Sequence, residues 1–165
     1  MKNIILPEFT DADIYVIENV DKENLNSFID FLRDYKVMLW KNNDTGEIMP
    51  MCDLKKCNVR IQPHPVYPKE LYQIGATFYS IVEKKPEIFV DLRDEGFFNR
   101  NSIASCHMGT LYSPAVIASF ISDAYKRDRF CDGLLGFGVD NGLYLKMLLH
   151  LNDLVIYYDY LNRLA

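Results

Sequence analysis

The chain has 165 residues, a mass of 19.2 kDa and a formal net charge of −5. Hydrophobic residues make up 49% and charged residues 25% of the sequence, which is typical of a globular protein and excludes a disordered chain. At roughly 100–200 residues per domain, the length predicts a single compact domain over residues 1–165. Residues 1–34 hold eight acidic and three basic side chains, which accounts for the whole net charge.

The predicted β-containing part covers residues 1–62. A helix is predicted from about Lys22 to Tyr35, because Asp21 is a good N-cap and apolar side chains then recur at helical spacing. Further short strands are predicted at residues 3–6, 14–17, 58–62 and 87–91.

A β-hairpin is predicted near residues 37–51. Its turn is the sequence Asn43-Asp44-Thr45-Gly46, in which Asn and Asp favour a type I turn and Gly supplies the left-handed residue. The three prolines of segment 63–68 then predict an extended connector.

The part after the connector, residues 69–165, is predicted to be mostly helical. Helices are expected at about 69–85, after the Ser113-Pro114 start signal, and at about 143–163. The last helix is apolar on more than one side, which favours a central position or an oligomer interface. The sequence therefore predicts an α+β protein with about four helices, a small antiparallel sheet and a long C-terminal helix.

The N-terminal segment lacks the apolar core of a signal peptide, and the apolar run at residues 154–158 is too short to span a bilayer. We therefore expect a cytoplasmic protein whose four cysteines are reduced thiols. The absence of a large basic surface disfavours binding to nucleic acid or to an anionic membrane.

Two cysteines are the candidate metal ligands. Cys52 and Cys57 are separated by four residues, and His64 follows them, but structural zinc sites usually have shorter and paired spacings. The favoured interpretation is that these cysteines are small buried residues, and that no metal or other cofactor is bound.

Four residues are the candidate catalytic groups: Cys106, His107, His64 and Asp91. A nucleophilic thiol needs a base within hydrogen-bond reach, and adjacent residues of an extended chain point apart, so His107 is a poor base for Cys106. His64 or His150 would have to act as the base from elsewhere in the chain. Asp91 belongs to an acidic cluster that ends at Glu95, and carboxylates after a strand are also typical of a charged turn.

The glycine-dense segment 133–142 has neither the spacing nor the lysine of a phosphate-binding loop, and it predicts a tight connection between helices.

With no complete catalytic constellation, the sequence favours a non-enzymatic factor that binds another, possibly basic, protein. Such a factor could be an inhibitor, an immunity-type protein or an adaptor, and the AT-rich residue usage suits a viral or mobile-element gene. The alternatives are a small hydrolase or transferase that acts on a nucleotide or ester, and a subunit of a larger assembly such as a virion. A homo-oligomer would form through the C-terminal helix.

Overall fold

The computed structural model describes residues 8–90, 112–130 and 132–165. Within these ranges the chain forms seven α-helices and a three-stranded antiparallel sheet, which confirms the predicted α+β class. The helices are α1 (Asp11–Asn19), α2 (Lys22–Asp34), α3 (Met51–Leu54), α4 (Lys69–Lys84), α5 (Pro114–Arg127), α6 (Phe137–Asp140) and α7 (Leu143–Leu164). The strands are β1 (Leu39–Lys41), β2 (Ile48–Pro50) and β3 (His64–Val66).

The four predicted helices are α2, α4, α5 and α7, and local signals explain their boundaries. The Asp21 side chain accepts a hydrogen bond from the Asn24 N–H at 3.0 Å and so caps α2. The Ser113 side chain likewise accepts a hydrogen bond from the Val116 N–H at 3.2 Å and so caps α5. None of the helices in the described ranges is both long enough and apolar enough to cross a bilayer.

The strand predicted at residues 14–17 is wrong, because this segment belongs to α1. Thr10 and Asp13 form a capping box, in which each side chain accepts a hydrogen bond from the backbone N–H of the other residue. Val16 and Ile17 are both buried on one side of the resulting helix. Adjacent buried residues suit a helix packed on a core, so tertiary packing and the cap outweigh the local β-propensity.

The sheet has the strand order β2-β1-β3, and the predicted hairpin is confirmed as β1 and β2. Gly46 has φ +77° in the turn, as the sequence predicts. The predicted third strand at residues 58–62 is wrong, since β3 lies within the proline-rich connector. Pro65 is tolerated there because β3 is an edge strand.

The segment 58–62 instead forms a loop that is held against the hairpin turn. The Asp44 carboxylate accepts hydrogen bonds from the backbone N–H groups of Arg60 and Ile61, the latter at 3.1 Å. The strand predicted at residues 87–91 is also wrong over its described residues, 87–90, because Pro86–Ile88 is a 3-10 helix.

One hydrophobic cluster takes side chains from α1, α2, α4, α5 and α7, and Tyr144 and Phe78 are among its largest fully buried members. Trp40 and Val116, which the hydrophobic pattern of the sequence predicts in the core, are only half-buried. The glycine-dense segment makes two close approaches. Gly138 of α6 lies against the Tyr144 ring of α7, as a tight connection between helices predicts, and Gly133 lies against the Trp40 ring of β1.

Candidate functional site

Most of the predicted catalytic residues lie outside the described part of the chain. Asp91, Glu95, Cys106 and His107 fall in the range 91–111, so their convergence on a site stays a prediction. His64 is on β3 with its side chain 62% exposed, and its Nδ1 is 3.2 Å from a carboxylate oxygen of Asp132. This exposed pair joins β3 to the turn that follows α5.

Cys52 and Cys57 are exposed free thiols, so the interpretation of these two as buried side chains is wrong. Cys52 is on α3, and Cys57 follows in a continuing helical turn where its thiol lies 3.5 Å from the Asp53 carbonyl oxygen. Residues five apart on a helix point in different directions. The ranges that the structure describes hold no group of three or more His, Cys, Asp or Glu side chains able to bind a metal ion.

The groove between α4 and α5 has a volume of about 310 Å³. It is lined by Tyr79, Val82, Glu83, Pro86, Phe89, Ser122, Asp123 and Lys126. Asp123 is already paired with Arg127 at 2.9 Å, and the lining contains neither cysteine nor histidine. The lining therefore offers no Cys–His or Ser–His pair, in which a histidine would activate the nucleophile.

The C-terminal helix α7 divides into a buried and a protruding part. Its core residues are Leu143, Tyr144, Met147, Leu148, Leu151, Leu154 and Val155. Tyr144 is fully buried and its hydroxyl donates to the Leu135 carbonyl at 2.6 Å. Tyr144 is thus a core residue, whereas Tyr160 on the same helix is 56% exposed.

The outward side of the distal part of α7 carries an uncovered apolar ridge. Ile156, Tyr160 and Leu164 are 59%, 56% and 67% exposed. They are spaced four residues apart, so their side chains follow one another along a single side of the helix. We call these three residues the α7 ridge.

The opposite side of distal α7 is attached to the N-terminal helices. The Tyr158 hydroxyl donates to Glu18 at 3.0 Å, and the Lys22 ammonium pairs with Asp159. Phe9 packs edge-on against the Tyr158 ring, with the ring centroids 5.8 Å apart. The helix is therefore held in place on one side, while the α7 ridge is exposed to solvent.

The outward side of α2 is acidic. Glu23, Asp30 and Asp34 are exposed, and their carboxylates make no hydrogen bond or ion pair within the described part of the chain. Their spacings of seven and four residues place them on one side of α2, opposite its buried residues. We call these three residues the α2 acidic stripe.

The α2 acidic stripe and the α7 ridge belong to neighbouring helices. At one end of the two helices, Lys22 of α2 forms an ion pair with Asp159 of α7. At the other end, Tyr35 and Leu145 line one cavity of about 230 Å³. Helix α2 thus runs antiparallel along α7. Both helices bury their inner sides in the same core.

Neither surface was assigned from the sequence, although signals for both were present. The acidity of residues 1–34 and the apolar character around the last helix were visible, but the burial of each helix side was not. No protein-family model, curated protein or solved structure matches this chain.

Proposed function

We propose that this protein works by stoichiometric binding to another protein that carries basic side chains, and not by catalytic turnover. The observation that supports this proposal is that two neighbouring helices each leave one side exposed, an apolar ridge on α7 and an acidic stripe on α2. The two surfaces together are called the contact side.

The apolar half of the contact side supplies binding free energy. Transfer of a large apolar side chain from water into an interface is worth about 1.5–3 kcal/mol, so residues such as Ile156, Tyr160 and Leu164 can dominate a small interface. Tyr160 also suits an interface because it combines a large apolar ring with a polar tip. Because α7 is already anchored through Tyr158 and Asp159, little order is lost when the ridge is covered.

The acidic half of the contact side supplies selectivity. Glu23, Asp30 and Asp34 make no ion pair among the described residues, so a partner with Lys or Arg at matching positions is attracted and an acidic partner is repelled. Attraction between exposed charges is screened over about 8–10 Å at physiological salt. We therefore expect binding that weakens as the salt concentration rises.

The test is affinity capture from the lysate of the organism that encodes the chain, followed by titration of the recovered partner at two salt concentrations. The charge-reversed variant Glu23→Lys/Asp30→Lys/Asp34→Lys should lose the partner. A matched control is Glu47→Lys/Glu83→Lys/Glu87→Lys, which changes the net charge equally at exposed positions outside α1, α2 and α7.

The control variant should bind as the wild type does, with one partner per protein chain at saturation. Equal loss in both charge-reversed variants would show a general effect of net charge and would contradict the proposed contact side. If substoichiometric protein acted fully on the partner, and Cys106→Ala or Asp91→Ala abolished this action, catalysis would replace the proposal.

A further inference from the structure

Four exposed residues of distal α7 are arranged symmetrically about Tyr158. Ile156 and Tyr160 lie two residues before and after it, and Asp153 and Arg163 lie five residues before and after it. Asp153 and Arg163 are both exposed, and neither side chain makes an ion pair among the described residues. A segment with this symmetry is complementary to its own reversed copy.

We infer that two copies of this chain pair antiparallel through the α7 ridge, with the two-fold axis near Tyr158. In that register Ile156 of each copy lies level with Tyr160 of the other, and Asp153 lies level with the other copy's Arg163. Opposite charges therefore face each other at both ends of an apolar centre. This inference rests on the proposed function in treating the α7 ridge as a protein contact.

The charge pattern also selects the direction of pairing. A parallel pair in register sets Asp153 beside Asp153 and Arg163 beside Arg163, so like charges oppose association. An antiparallel pair turns both repulsions into attractions. The α2 acidic stripe is not used in this contact, but the α7 ridge is, so a second copy and the basic partner compete for the ridge.

The size of the ridge sets the strength of the dimer. The twelve-residue rise from Asn152 to Leu164 spans about 18 Å at 1.5 Å per residue. A single helix pair of this length buries less surface than the roughly 1,200 Å² of a stable complex, so the dimer is expected to dissociate at low micromolar concentration.

The experiment measures the mass of the full chain by sedimentation equilibrium from about 1 to 300 μM, with no partner present. The wild type should change from monomer to dimer over this range. Asp153→Arg and Arg163→Asp should each weaken the dimer about tenfold, because each replaces two attractions with two repulsions. The double variant Asp153→Arg/Arg163→Asp should restore the wild-type dissociation constant.

Two controls separate pairing from folding and from the proposed function. Asn162→Asp changes an exposed residue on another side of the same helix and should leave the dimer intact. Ile156→Asp should abolish the dimer while the circular dichroism spectrum of the protein stays unchanged. A wild-type monomer at every concentration, or a double variant no stronger than the single ones, would overturn the antiparallel pairing. Partner capture through the α2 acidic stripe is measured independently, so either proposal can fail alone.

Discussion

The buried carboxylate of Asp13 provides the sharpest test of how the N-terminal helix is attached. Asp13 is 3% exposed, and its two oxygens serve two different helices. One oxygen accepts the Thr10 N–H at 3.1 Å within the capping box of α1. The other accepts the Ala115 N–H at 3.0 Å at the N-terminus of α5, 102 residues further along the chain.

Replacement by Asp13→Ala removes both hydrogen bonds without adding bulk. The Ala115 N–H is then left buried and unpaired, which costs about 1–3 kcal/mol. Loss of the reciprocal bond in the α1 cap costs about 1 kcal/mol more. We therefore expect the free energy of unfolding to fall by about 3 kcal/mol.

The assay is urea unfolding followed by circular dichroism, with Asp11→Ala as the matched control. Asp11 is an exposed acid in the same first turn, so both variants lose one negative charge near the helix N-terminus, worth about 0.3–1 kcal/mol. The difference between the two variants isolates the hydrogen bonds. If Asp13→Ala lay within about 0.5 kcal/mol of Asp11→Ala, the link between α1 and α5 would contribute no stability and the reasoning would be wrong.

Three further predictions concern the core, a buried phenol and the thiols. Phe120 is 5% exposed and packs against the core, so Phe120→Ala should lower the free energy of unfolding by about 3–5 kcal/mol in the same assay, and a loss under about 1 kcal/mol would contradict this burial. Burial and the hydrogen bond that its hydroxyl donates to Asp128 at 2.8 Å raise the pKa of Tyr67. Since the unfolded chain then loses this proton first, stability should fall as pH rises above about 10, and Tyr67→Phe should show a shallower fall in urea unfolding at pH 8–11. Cys52 and Cys57 should both react with a thiol reagent in the native protein as fast as in urea, and protection of either would place it in a buried site.

The helices that could be predicted are those whose signals lie within a few residues. For α2 and α5, a capping side chain and an apolar stripe at helical spacing together identify the element. The hairpin turn is equally local, because Gly46 satisfies a backbone conformation that other residues rarely adopt. Helix α1 carries a similar signal in the Thr10 to Asp13 spacing, but the β-branched and aromatic residues at 14–17 favour a strand.

The sequence alone determined the α+β class, the main helix boundaries and the concentration of acidity in residues 1–34, because these depend on composition and on neighbours along the chain. Only the tertiary structure decided which side of each helix is covered. The α7 ridge and Tyr144 look alike in sequence, yet one faces solvent and the other is fully buried. Likewise the partner of Asp13 is 102 residues away, and β1 pairs with β3 and not with residues 58–62. Such contacts depend on how distant segments pack around one core, and no local pattern specifies them.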